Sequence, residues 1–196
     1  MKDWVGNNKS IFVCNGASNH SNSERQSDDY YATDPKAIHK LCAVEKFTPI
    51  VWECACGAGH MVQALKENGY KVMASDIVDR GCPHTLVLNF FDRKIGCTCD
   101  IITNPPYKYA KEFVEHALDI VDDGRKVAMF LKLTFLESKS RKALFEKYPP
   151  KKIWVFSERI LCAPNGKFDQ CHGAAVAYAW YIWEKGYTGA TTVGWI

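Results

Sequence analysis

Asn104, Pro105, Pro106 and Tyr107 follow directly on an apolar run, Ile101-Ile102-Thr103, that reads as the end of a buried strand. Proline has no backbone N–H and cannot continue a sheet ladder, so the strand must stop there. Such a stretch can be an ordinary turn. It can also be a rigid clamp for an amino group on a flat ring. The exocyclic nitrogen of such a ring is a poor nucleophile, because its lone pair is delocalised. Two acceptors aimed at its N–H bonds draw density onto the nitrogen and hold it in line for attack. The Asn104 side-chain oxygen and the Pro105 carbonyl are the candidate acceptors. Pro105 and Pro106 fix the backbone torsions, and the Tyr107 ring offers a stacking face.

A second set of candidates lies upstream. Glu53 ends an apolar strand, and Gly57 and Gly59 follow it before a helix begins. Glycine allows a tight turn and a close approach by a ligand. No lysine follows in the manner of a triphosphate-binding loop. Asp76 ends the next strand about twenty residues on, where a carboxylate can accept both hydroxyls of a ribose. Loop and acid together fit an adenosine-type cofactor, either a nicotinamide dinucleotide or S-adenosylmethionine.

The elements that must hold these residues alternate along the chain. Asp34-Pro35 is a helix start, followed by the stripe Ile38, Leu41, Cys42. Ile50-Val51-Trp52 is a strand, and a helix with Met61, Val62 and Leu65 stops at Gly69. Tyr70 to Ala74, Leu86 to Leu88 and Ile101-Ile102 are further strands. A helix then places Ala110, Phe113, Val114, Ala117, Leu118 and Val121 on one face. Val127 to Leu131 and Ile153 to Phe156 are strands around a basic helix that ends at Pro149-Pro150. The tail, 174–183 and 191–196, reads as an antiparallel hairpin turning between Gly186 and Gly189. The pattern predicts an α/β fold: a doubly wound, mostly parallel sheet with a C-terminal antiparallel hairpin. In such sheets ligands bind beyond the carboxyl ends of the strands, and all the candidate residues fall there.

The chain has 196 residues, and residues 1–29 read as a polar arm, carrying His20 and Arg25, ahead of one domain over 30–196. No apolar run is long enough for a membrane span, and the first residues lack a signal-peptide pattern, which points to the cytosol. Nine cysteines then read as reduced thiols. Cys54-x-Cys56 and Cys97-x-Cys99 are spaced too tightly for a usual zinc site, so no metal is expected. A net charge of +3 neither demands nor excludes nucleic acid. Lys139, Arg141, Lys142, Lys147, Lys151 and Lys152 cluster against Glu146, as a solvated face or as phosphate contacts.

Taken in order, Gly loop, acid and Asn-Pro-Pro-Tyr resemble the class I S-adenosylmethionine-dependent amino-methyltransferases. Within them the chain is similar to the small phage- and prophage-type N6-adenine DNA methyltransferases, from "DYYATDP" to "YIWEKGYTG". The resemblance implies methyl transfer from S-adenosylmethionine to the N6 amino group of adenine in DNA, with duplex DNA requiring base flipping. It implies that Tyr31, Thr33 and Pro35 pack by the methionine moiety and that Glu53, Gly57 and Gly59 sit beside its amino group. Asp76 would take the ribose, and Ile77 would press on the cofactor's adenine. Asn89 and Phe90 match a further cofactor motif, in which the family usually has an acid where this chain has Asn89; Asp92 is the alternative. Arg159 and Phe168 become candidates for the target-base pocket beside Tyr107. RNA adenine and a protein glutamine amide remain open as acceptors, as does a non-catalytic S-adenosylmethionine-binding subunit.

Overall fold

A computed structural model describes residues 30–94, 96–164, 166, 168 and 176–196. The arm with His20 and Arg25 lies outside the described residues, as does the start of the tail at Ala174. The elements are β1 Tyr31–Thr33, α1 Lys36–Val44, β2 Ile50–Glu53, α2 His60–Glu67, β3 Lys71–Asp76, β4 Leu86–Val87 and β5 Asp100–Thr103. They continue with α3 Ala110–Ile120, β6 Lys126–Lys132, α4 Lys139–Lys147, β7 Lys152–Val155, β8 Cys162–Pro164, β9 Tyr178–Glu184 and β10 Thr192–Trp195.

One eight-stranded sheet runs in the order β10-β7-β9-β6-β5-β2-β3-β4, and β1 pairs with β8 in a separate antiparallel pair. Every pairing in the large sheet is parallel except those of β9. The strand order reverses between β2 and β5, which makes that boundary the topological switch point. Glu53 ends β2 and Asn104 follows β5, so both stand at the crevice where such sheets take ligands.

Both faces of the sheet are covered. Val127, Met129 and Leu131 of β6 pack into a core with Phe113, Val114, Ala117 and Leu118 of α3. Ala128 and Phe130 pack the other way, against Ile38 and Leu41 of α1 and Leu65 of α2. A strand buried on both sides needs a continuous apolar run, and residues 127–131 supply one. Helix α1 begins one residue later than expected, with Pro35 in the N-cap place, and the Lys36 N–H donates to Asp34 Oδ1 at 2.9 Å. The predicted stripe of α3 is buried, with Val121 just past the helix end.

The α/β class holds, and one detail of it changes. β9 and β10 do not form a hairpin with each other. β9 lies between β6 and β7, antiparallel to both, and β10 pairs parallel with β7 at the sheet edge. The cause is in β9 itself. Ala179, Tyr181 and Trp183 enter one core, while Tyr178, Trp180 and Ile182 enter the other. A strand apolar on both faces belongs in the interior of a sheet and not in a half-solvated arm.

Candidate active site

The turn after β2 depends on glycine. Gly57 and Gly59 have φ of +54° and +88°, a region L side chains rarely adopt. A Cβ on Gly57 would stand 2.1 Å from the Tyr30 ring, and one on Gly59 would stand 2.6 Å from Cys82 Sγ. Tyr30 lies along the loop. Its hydroxyl accepts the Ala58 N–H at 3.1 Å, and the Arg80 guanidinium sits over its ring. Asp76 ties the next strand to the loop: Oδ2 accepts the Gly57 N–H at 2.8 Å and Oδ1 the Val78 N–H at 3.1 Å. Ile77 beside it is 60% exposed, an apolar side chain left uncovered at a strand's carboxyl end.

Glu53 is buried at the switch point. Its Oε1 accepts from Thr103 Oγ1 and from the Ala55 N–H, while Oε2 has no partner among the described residues. Burial pushes its carboxyl up to about 8, against the Thr103 and Ala55 hydrogen bonds and with a small push from Asp76.

Asn104 is half-buried, and its side-chain oxygen is the second buried atom left open. Its Nδ2 donates to Thr33 Oγ1 at 2.8 Å and to the Tyr31 carbonyl at 3.3 Å. A carbonyl only accepts, so the amide nitrogen must face β1. Oδ1 then points away from β1, buried and without a partner among the described residues. Pro106 is extended, with φ −54° and ψ 122°, and its carbonyl accepts the Tyr109 N–H at 2.9 Å to close a short 3₁₀ turn. The prolines thus deliver the chain from strand to turn and leave Asn104 braced from the side.

The Tyr107 ring lies between Tyr31 and Tyr178, with centroids 5.9 and 6.2 Å away, and the Lys132 ammonium sits 4.6 Å from its centre. Its hydroxyl donates to Cys162 Sγ at 3.6 Å, and burial holds the phenol well above its ordinary value.

Of the other expected site residues, Pro35 opens α1 and Thr33 holds Asn104. Asn89 is half-buried, and its Oδ1 accepts the Phe91 N–H at 3.2 Å while its amide reaches Asp92 at 3.4 Å. Phe90 turns inward and packs on Trp52, Phe113 and His116. Phe168 meets the His60 ring at 5.4 Å, which puts it by the Gly loop and not beside Tyr107. Arg159 is exposed in the turn after β7. The contributions of Tyr30, Lys132, Cys162 and Tyr178 escape sequence reasoning. Only Tyr30 sits in a stretch that carries the family resemblance, and nothing in its spacing marks it.

The basic cluster divides. Because α4 runs back from the carboxyl end of β6 to the amino end of β7, Lys139 and Arg141 stand on the Asn104 side, and Lys151 and Lys152 at the opposite end. Arg141 donates to the Thr134 carbonyl and covers Phe135, Lys142 pairs with Glu146, and Lys151 pairs with Glu184.

No protein-family model matches the chain, and no curated protein matches it in sequence. Solved structures do. A chain described as the modification subunit of a type I restriction enzyme from Vibrio vulnificus superposes with a TM-score of 0.59 at 15% identity, over 89% of this chain and 48% of its own length. The type IIG restriction endonuclease BpuSI gives 0.60 at 13% identity, over 84% of this chain and 26% of its own. A 1,6-didemethyltoxoflavin-N1-methyltransferase from Burkholderia thailandensis, solved with S-adenosylhomocysteine, gives 0.52 at 10% identity over 94% and 92%. At these identities the likeness establishes the Rossmann-like methyltransferase fold. The chain spans about half the length of the modification subunit it resembles.

Proposed function

We propose that this chain transfers a methyl group from S-adenosylmethionine to the exocyclic N6 amino group of adenine in DNA. The observation that carries the reading is Asn104 Oδ1: buried, without a partner among the described residues, and oriented by two hydrogen bonds from the same amide to β1 at the end of β5. A buried acceptor left open costs stability unless something supplies a donor. An amino group with two N–H bonds supplies it.

The residues fit the cofactor. Glu53 offers a second open buried oxygen, the Gly loop permits close approach, Asp76 faces that loop, and Ile77 is exposed beside it. Bound there, S-adenosylmethionine supplies a methyl group already activated as a sulfonium. Glu53 would hold the ligand's ammonium, whose charge draws off the Glu53 proton, Asp76 would take its ribose, and Ile77 would cover its adenine. Asn104 Oδ1 and the Pro105 carbonyl hold the N–H bonds of the acceptor nitrogen, so that its lone pair faces the methyl group. Positive charge grows on that nitrogen in the transition state, and fixed acceptors stabilise it there. Tyr107 stacks on the base after Tyr31 or Tyr178 yields a face, and Lys132 brings a cation to the same wall.

DNA is favoured over RNA or a protein amide because two similar structures are restriction enzymes, whose modification chemistry is on DNA. The test is incubation with labelled cofactor and separate DNA, RNA and protein substrates, followed by nucleoside analysis. N6-methyladenine in the DNA digest is the expected result. Label in RNA or protein alone overturns the substrate, and failure to bind the cofactor overturns the class.

A further inference from the structure

The amino end of the sheet carries chemistry that methyl transfer at the carboxyl end does not use. Cys97 and Cys99 lie just before β5 with their sulfur atoms 3.1 Å apart. Both border a surface cavity of ≈ 410 Å³ lined also by Arg93, Thr98 and Met73. The spacing is built in. The Cys97 N–H donates to the Ile120 carbonyl at 2.6 Å, and its own carbonyl accepts the Asp122 N–H at 3.0 Å. Cys99 leads into Asp100, which is itself fixed by hydrogen bonds to the Thr48 and Lys126 N–H groups.

The two thiols are not equivalent. The Cys99 thiol and backbone, together with Arg93, hold Cys97 well below the ordinary thiol value against burial and the Asp122 charge. Cys99 is pushed up by Cys97, by burial and by Asp100. Cys97 is therefore the more acidic thiol of the two. Elsewhere burial pushes Cys42 up to about 11 and Cys56 up to about 12, so those thiols are poor nucleophiles.

We propose that Cys97 and Cys99 form a reversible dithiol–disulfide site, oxidised by a hydroperoxide that enters the cavity. The Cys97 thiolate attacks one peroxide oxygen, the O–O bond breaks, and the departing oxygen leaves as water or alcohol after taking a proton. Cys97 is then a sulfenic acid. Cys99 sulfur attacks the Cys97 sulfur, the S–O bond breaks, and the Cys99 proton leaves with the hydroxyl as water. Two electrons pass from the sulfurs to the peroxide, and a dithiol reductant reverses the change.

Trypsin should release residues 95–108 as one peptide that holds both cysteines and no other. After treatment of the reduced, full-length protein with hydrogen peroxide and blocking of free thiols, that peptide should be unblocked, lighter by two hydrogens, and restored by dithiothreitol. Cys99→Ser should accumulate a sulfenic acid on Cys97, read as a dimedone adduct, and Cys97→Ser should give several-fold less adduct at Cys99. Two blocked thiols in peptide 95–108 after peroxide overturn the site. A disulfide from this peptide to another cysteine overturns the pairing, and equal adduct yields in the two variants overturn the role of Cys97.

Discussion

Strand β5 has a polar side chain with a buried oxygen at each end, and the two ends are treated in opposite ways. At its start Asp100 is 3% exposed and saturated. Its Oδ2 accepts the Thr48 N–H and its Oδ1 the Lys126 N–H, both at 2.7 Å. Past its other end Asn104 has its amide nitrogen fixed and its oxygen left open, and Glu53 next to it on β2 also keeps one oxygen open. Open buried polar atoms cost stability, and the fold tolerates these two at the ends of neighbouring strands. Asp100 holds three segments of the chain together, whereas Asn104 and Glu53 each keep an oxygen that the proposed methyl transfer would use.

The sharpest way to break this comparison is to remove the open acceptor. Asn104→Ala should lower methyl transfer on the order of 100-fold, the usual cost of losing one fixed group that stabilises developing charge. Cofactor affinity, measured by calorimetry, should change little, since the proposed cofactor pocket is built from Glu53, the Gly loop and Asp76. Wild-type transfer by Asn104→Ala would reduce Asn-Pro-Pro-Tyr to a turn.

Asp100→Ala should do the reverse. Two N–H groups lose their acceptor, which should cost about 1–3 kcal/mol of stability by urea unfolding. Transfer per folded molecule should stay at the wild-type rate. A large loss of transfer with unchanged stability would mean that the two ends of β5 are not separable.

Glu53 tests the same contrast through pH. Its folded-state carboxyl is raised to about 8, chiefly by burial, against an ordinary value of 4.5. Between those values the folded protein holds a proton that the unfolded chain has released. The contribution is fully present below 4.5 and is lost as pH rises toward 8. Glu53→Gln keeps the shape and cannot ionise. Wild type should therefore lose stability relative to Glu53→Gln between pH 5 and pH 8, on the order of 1 kcal/mol or more. Parallel pH curves for the two proteins would show that Glu53 is ionised when buried.

The strand ends could be read in the sequence because residue type and position coincide there. Glu53, Asp76 and Asn104 each follow an apolar run, and Gly57 and Gly59 punctuate the turn between the first two. Partners could not be read in the same way. The hydrogen bond between Asn104 and Thr33 spans 71 residues, and no local pattern encodes it. Alternation in β9 gave its periodicity and not its neighbours, so a strand buried on both faces passed for a hairpin arm. Phe90 and Asn89 are adjacent, and only packing decides that Phe90 turns to Trp52 and Phe113.

The same opposition of ends governs the basic residues, where the expected effect is smallest. In sequence Lys139 to Lys152 form one cluster, but the direction of α4 separates it into two. Lys108 and Lys139 are exposed on the Asn104 side, whereas Lys151 and Lys152 stand at the amino end of β7, Lys151 paired with Glu184 and Lys152 over the Trp154 ring. Under the proposed function, DNA that presents a base to Asn104 would lie across the first group and not the second. Removing one lysine from a phosphate should flatten the dependence of log affinity on log salt by about one unit. Lys108→Ala with Lys139→Ala should therefore reduce the slope by about two units, while Lys151→Ala with Lys152→Ala should leave it unchanged. Fluorescence anisotropy on a short duplex across a salt series separates the cases. A slope that falls only in the second double variant would place DNA at the wrong end of the sheet for Asn104 to act on it.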